Sequence, residues 1–337
     1  MAEYIGIKGF TIQSLASDPS NPIDGQVWYN TTSTVLKGYA AAVSTGAWAS
    51  GGALNIGRSF CAGAGTTQNT ALVSGGQASA PEGGKSDLTE TYNGSAWTEV
   101  GDLNVVHTGA MGGGTQTAAF CAGGFQPGDI ANMELWDGTS WTEVNNLTTA
   151  RRFGGGAGTT ASGLAFSGGS TGGSDNDLTE SWDGTCWTEV ADLANAHMTN
   201  VCGLGVLGTA ALCIGGYSNP PAIGTAFVEE WNGTAWSELT AIGTGGYYIT
   251  GNGTTTSALC YGGGTPPGSP PVAVKTQFWN GSAWAELTDL ATARNAASGS
   301  HNSPSSEATC TGGQPGYMDT TEEWTATGSA VKTFTAT

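Results

Sequence analysis

Charge is scarce in this chain, and positive charge most of all. Only 11% of its 337 residues are charged, with 9 Lys and Arg against 27 Asp and Glu, a formal net charge of −18. Nucleic-acid affinity rests on neutralising phosphates with Lys and Arg, so a nucleic-acid partner is excluded. No run of about 18 apolar residues is present, so no helical membrane span is expected. The opening MAEYIGIKGF has neither the basic start nor the apolar core of a secretory signal, which predicts synthesis in a cytoplasm and release by another route. The seven cysteines are odd in number and lack the paired short spacings of zinc or redox sites. Reduced, buried thiols are expected, with no metal and no cofactor.

Glycine is what the chain has in excess, at 56 residues, more than twice the usual share, without the triplet period of collagen. The rest of the pattern is periodic. Trp97, Trp141, Trp187, Trp236 and Trp284 follow one another at 44, 46, 49 and 48 residues, and Trp48 extends the series backwards by 49. Six positions after these stand Leu54, Leu103, Leu147, Leu193, Ile242 and Leu290; five positions before the last five stand Tyr92, Trp136, Trp182, Trp231 and Trp279. Gly-Gly pairs begin at Gly75, Gly123, Gly168, Gly215, Gly262 and Gly312. Such a period, with a Gly-Gly and a late Trp, falls in the range of propeller blades.

One repeat reads as four short strands: GAMGGGT (109–115), TAAFCAGG (117–124), NMELWDG (132–138) and SWTEV (140–144). Asn-Gly or Asp-Gly between the last two predicts a type I′ hairpin, whose two turn residues both take positive φ. This organisation resembles the kelch-repeat β-propellers over roughly residues 50–325. The Tyr usual after the kelch di-glycine is met only by the partial counterparts Phe125 and Tyr217. The resemblance implies an all-β, six-bladed kelch-like β-propeller. It places Gly63, Gly112, Gly156, Gly203, Gly251 and Gly299 in the crowded innermost strands and the repeated Trp and Tyr in the widening wedges between blades. Burial of one such ring, 150–250 Å², contributes roughly 4–6 kcal/mol at most.

A seven-bladed alternative stays open. The third-and-fourth-strand phrase occurs seven times if TVLKGYAAAVSTGAW (34–48) and TEEWTATGSAVKTF (321–334) both count. In the six-bladed reading, strand 44–50 completes the blade of residues 294–325 and closes the ring. The expected division is an N-terminal arm or hairpin, 1–32, and a propeller, 33–337.

Candidate chemistry is thin. Cys121, Cys213, Cys260 and Cys310 lie two residues before a Gly-Gly, where Val73 and Phe166 stand in other repeats, so the slot is a core slot. Arg58, His107, Arg151, His197 and Arg294 all follow the repeat Leu by four. They are either a charged ring at one mouth of the channel or ion pairs for the recurrent Glu90, Glu134, Glu180, Glu229 and Glu322. His301 is the one His outside that slot, and Asp175 and Asp177 read as a polar turn or a calcium loop. The segments after Gly-Gly are where the repeats differ, and loops on a rigid scaffold carry recognition. They present Phe125, Tyr217, Pro220, Pro266 and Tyr317 as candidate recognition residues. No acid pair or nucleophile set marks an enzyme.

The phrase DPSNP (18–22) followed by GQVWYN (25–30) lies outside the repeats. It resembles the N-terminal part of tail-fibre and other virion appendage proteins of bacteriophages. That resemblance implies attachment to other virion proteins through residues 1–32, display in multiple copies, and propeller loops facing a host surface glycan or a neighbouring protein. The expected location is then the virion. A secreted, extracellular lectin-like propeller is the alternative, and a carbohydrate-active enzyme a more distant one.

Overall fold

The computed structural model describes residues 12–19, 27–40, 46–78, 84, 86–170, 177–195, 201–218, 223–264, 273–327 and 330–334. The chain divides into two compact units, one formed by Met1–Thr45 with Ala326–Thr337 and the other by Gly46–Thr325.

In the larger unit each repeat becomes a four-stranded antiparallel sheet whose strands lie side by side in chain order. Sheet I comprises Ala62–Thr67, Thr70–Ser74, Thr89–Tyr92 and Trp97–Glu99. Sheet II comprises Met111–Thr115, Ala118–Ala122, Met133–Trp136 and Trp141–Glu143; sheet III, Gly155–Gly158, Gly163–Phe166, Thr179–Trp182 and Trp187–Glu189. Sheet IV comprises Cys202–Leu207, Ala210–Ile214, Val228–Trp231 and Trp236–Glu238; sheet V, Thr250–Thr254, Ser257–Tyr261, Thr276–Trp279 and Trp284–Glu286. Sheet VI takes Ser298–Gly299, Glu307–Thr311 and Thr321–Ala326, and its fourth place is filled by Gly46–Ser50 from the other end of the unit. The six first strands touch in succession, and that of sheet VI returns to that of sheet I. The fold is an all-β propeller.

At their glycines the first strands converge closely enough that a side chain is excluded. A Cβ on Gly203 would lie 2.5 Å from the Gly155 Cα and the Gly156 nitrogen of the neighbouring sheet. Apolar clusters fill the space between successive sheets: Leu72 and Leu103 with Trp136 and Trp141, and Phe120 and Met133 with Trp182 and Trp187. The fourth-strand Trp is more than a wedge, because its indole N–H reaches the preceding sheet. Trp141 donates to Thr89 Oγ1, Trp236 to Thr179 Oγ1 and Trp48 to Thr276 Oγ1, each at 2.9 Å. Trp97 donates to Thr321 Oγ1 of sheet VI, also at 2.9 Å. The recurring phrase thus carries both a packing surface and a polar pin.

The hairpin turn differs from its sequence reading. Trp97 pairs with Tyr92, which leaves four residues, 93–96, in the turn rather than two. Gly94 alone takes positive φ, +87°. Asn93 instead accepts hydrogen bonds through Oδ1 from the Ser95 and Ala96 N–H groups, at 2.9 and 3.0 Å. Asp137, Asp183, Asn232 and Asn280 repeat the arrangement. Asn and Asp recur because their short side chains fold back on the backbone, not because they adopt the left-handed region.

The smaller unit contains a four-stranded sheet in the order Gln13–Leu15, Val27–Asn30, Val35–Ala40, Ala330–Phe334, the first pair parallel. Its boundary therefore differs from the expected cut after residue 32, since Val35–Ala40 is the second strand of the VWYN hairpin and belongs with it. The described residues of DPSNP and GQVWYN are tied to one another and to Lys37 here. Asp18 accepts hydrogen bonds from Trp28 Nε1 at 3.1 Å, Asn30 Nδ2 at 2.7 Å and Lys37 Nζ at 2.8 Å. Lys37 and Asn30 hold the Asp18 carboxyl below its usual range. Asn30 Oδ1 in turn accepts the Thr32 and Ser33 N–H groups.

Candidate functional site

In each sheet the connection from the preceding fourth strand enters at the end where the second strand delivers its Gly-Gly, because first and second strands are antiparallel. Backbone bridges tie the two segments: Arg58 to Ala78, Thr108 to Phe125, Arg152 to Gly169, Tyr247 to Gly264 and Asn295 to Gln314. The variable loops and the inter-sheet connections therefore share one face.

The described cations four residues after the repeat Leu do not line the mouth. Arg58 Nη2 lies 2.9 Å from Glu90 and Arg294 Nη2 2.9 Å from Glu322, while Arg151 Nη1 lies 3.2 Å from Glu180; all three Arg side chains are fully buried. His107 Nε2 faces Glu134 at 3.4 Å. Burial opposes a proton on His107, but Cys121, Glu134 and the Gly123 carbonyl together raise it to about 10. Each carboxylate also accepts a backbone N–H of the incoming connection, from Asn55, Asn104, Thr148, Ala194 or Ala291. Of the two sequence readings, the geometry is that of ion pairs, each stapling a connection to the sheet that it enters. His197 lies outside the described residues. In sheet V the pair is neutral: Gln277 Oε1 accepts the Thr244 N–H at 2.9 Å, and Gly246 stands where the cation would be.

Two positions further on, the same connections do reach the mouth. Phe60, Phe153 and Tyr248 each follow the repeat Leu or Ile by six, take φ of +59°, +59° and +56°, and are half-buried. A non-glycine residue in that region, above all an aromatic one, signals a position held by its surroundings. Their rings meet one another at centroid distances of 5.3, 5.0 and 5.8 Å. They come from sheets I, III and V, while the described slots between them hold Gly109 and Ala296. The smallness is required, because a Cβ on Gly109 would lie 2.4 Å from the Phe153 ring. Alternating large and small side chains let three rings converge where six would collide.

The aromatic contacts continue outward. Tyr247 packs on Tyr248 at 5.4 Å and Tyr217 on Tyr247 at 5.7 Å. On the other side the Arg152 guanidinium lies 5.5 Å from the Phe153 ring and 4.3 Å from Phe125, with Asp129 at 3.4 Å. Phe125 and Tyr217, singled out from sequence, are thereby joined into one band across the mouth. Tyr317 lies on the corresponding loop of sheet VI, and among the described residues no ring contact joins it to the band. Pro220, Pro266 and Asp175 lie outside the described residues. The Trp97, Trp141, Trp187, Trp236 and Trp284 positions are structural pins away from this site, and Cys121, Cys213, Cys260 and Cys310 are buried. No group of His, Cys, Asp and Glu suited to a metal ion occurs among the described residues.

Phe60, Phe153, Tyr248 and Arg152 escaped the sequence reading. The signal was present as a slot in phase with the repeat, holding Phe60, Gly109, Phe153, Thr199, Tyr248 and Ala296. Its alternation of large and small is meaningful only once the ring is closed.

No protein-family model matches this chain, and no curated protein matches it. Among solved structures, one described as the structure of YjhT superimposes with a TM-score of 0.65 at 11% sequence identity, covering 84% of this chain and 99% of that one. At that identity the likeness shows the fold alone, an all-β propeller.

Proposed function

We propose that this chain is a non-enzymatic adhesion component of a phage particle, a tail fibre or other virion appendage, in which a kelch-like propeller presents its loop face to a host surface glycan. The observation that carries the reading is the band Tyr217–Tyr247–Tyr248–Phe60–Phe153–Arg152–Phe125, an aromatic surface on a rigid frame with its one cation already engaged by Asp129. Sugars present C–H faces that stack on such rings, and aromatic anchors cost little conformational entropy. Individual contacts of this kind are weak, and display in several copies would raise their avidity.

Attachment to other virion proteins falls to the unit that carries DPSNP and GQVWYN, on the resemblance of that phrase to phage appendage proteins. Two measurements test the proposal. Density-purified particles should contain the chain at stoichiometric level by mass spectrometry, and its presence only in the cell-free secretome would favour the lectin-like alternative. On a glycan array the purified protein should bind, and Phe153→Ala should lower its signal at least tenfold; an array blank for the wild type would defeat the adhesion reading.

A further inference from the structure

Beneath the aromatic mouth lies a cavity of about 90 Å³, lined by first-strand glycines and by His301. The turn of sheet VI that carries His301 blocks the far end of the ring. Asn302 Nδ2 donates to the Gly158 carbonyl of sheet III at 2.9 Å and the Asn302 N–H to the Gly65 carbonyl of sheet I at 3.0 Å. Asn252 Nδ2 of sheet V holds the same turn through the carbonyls of Ser303, Pro304 and Glu307 at 3.2, 2.9 and 3.0 Å. The channel is therefore a socket with a floor.

One polar atom of the lining has no partner. His301 Nε2 is buried and makes no hydrogen bond. It lies against the bare backbone of Gly63, where a Cβ would come within 3.0 Å of it. An orphaned buried polar group is costly, so a socket that leaves one without a partner is built to receive one. Burial also pulls the His301 pKa down to about 4, so the imidazole is uncharged at neutral pH. The other cations nearby, Arg58, Arg151, Arg294 and Arg152, are each engaged by a carboxylate. The socket thus favours an uncharged hydroxyl over a carboxylate. Its volume falls below the ~300 Å³ at which pockets begin to hold whole ligands and amounts to a few water volumes. It fits an appendage.

We infer that the channel mouth is a socket for the terminal, neutral hexose of a glycan, with the sugar ring on the Phe60–Phe153–Tyr248 triad and its exocyclic hydroxymethyl arm inserted to hydrogen-bond with His301. This rests on the glycan-binding reading above and narrows it to one sugar class and one orientation. The test titrates the full chain by calorimetry with glucose, galactose and mannose and with the 6-deoxy analogue of whichever binds best. The 6-deoxy sugar should bind at least tenfold more weakly to the wild type. His301→Leu should weaken the parent sugar by about the same factor and remove the discrimination. Tyr248→Ala should weaken both sugars together. Equal affinity for the parent and 6-deoxy sugars, with Tyr248→Ala still weakening both, would overturn the socket and leave the aromatic binding face standing. No binding of any neutral hexose, with acidic glycans captured on the array, would overturn the socket alone; silence from every glycan would remove the reading on which it rests.

Discussion

Replacing Arg151 by methionine leaves the Glu180 carboxylate buried and without its cation. The two groups lie 3.2 Å apart with side chains 0% and 1% exposed, so water cannot take over. Breaking one partner of such a pair costs about 3–5 kcal/mol. Thr148 and Thr149 still donate their N–H groups to Glu180, which places the expected loss near the lower end, at about 3 kcal/mol. The fold already contains the neutral alternative, since Gln277 makes the equivalent backbone bond in sheet V. Arg151→Met combined with Glu180→Gln should therefore recover at least about 2 kcal/mol relative to the sum of the single losses, because neither member leaves an orphaned charge. Denaturant unfolding followed by tryptophan fluorescence measures the cycle, and a thermal scan should show the single variant lower by roughly 6 °C at about 2 °C per kcal/mol. Additive single and double losses, or an Arg151→Met loss below about 1 kcal/mol, would refute the stapling role.

Gly203→Ala should prevent the ring from forming, since its Cβ would meet the Gly155 and Gly156 backbone at 2.5 Å; soluble yield and near-UV circular dichroism check this, and a wild-type spectrum would contradict the packing. Two histidines should bend the pH–stability curve in opposite directions. His301, held neutral down to about 4 in the fold, takes up its proton more readily unfolded, so its contribution is full above pH 6.5 and is lost as pH falls from 6.5 towards 4. His301→Gln should flatten that limb by about 3 kcal/mol, and an unchanged acid limb would argue against its burial. His107, raised to about 10, contributes fully below pH 6.5 and loses that contribution as pH rises towards 10, a slope that His107→Gln should remove. Finally, Cys186 is the exposed thiol, whereas Cys61 is half-buried with its thiol pushed up to about 11. A native thiol titration should show one fast-reacting group and a denatured one all seven.

The propeller was legible because its parts recur in phase. Trp141, Leu147 and Gly123 mean little singly, but six copies of the spacing leave few other folds. What recurrence hides is local geometry. Asn93-Gly94 reads as a two-residue turn by composition, and only the Trp97–Tyr92 register shows the Asn side chain closing a four-residue one. The Arg and His set could be matched with the Glu set by sequence, yet ring and staple differ only in burial, which no spacing reports. The candidate site was half visible. Phe125 and Tyr217 stood out because their loops differ, whereas Phe60, Phe153 and Tyr248 lie in the conforming part of the repeat. His301 stood out by not fitting the register, but the turn that carries it crosses the axis, a path set by partners in three other sheets.

The placement of Gly46–Ser50 in sheet VI sets a timetable for folding. That strand leaves the ribosome among the first parts of the larger unit, but its neighbour Thr321–Ala326 is made some 275 residues later. At about 5–20 residues per second the early strand waits roughly 15–55 s, while sheets I to V can form behind it. Pairing across so long a separation is intrinsically slow. Ring closure is thus the final step, and until it occurs the outer edge of sheet VI stands open to the same strand of a neighbouring nascent chain.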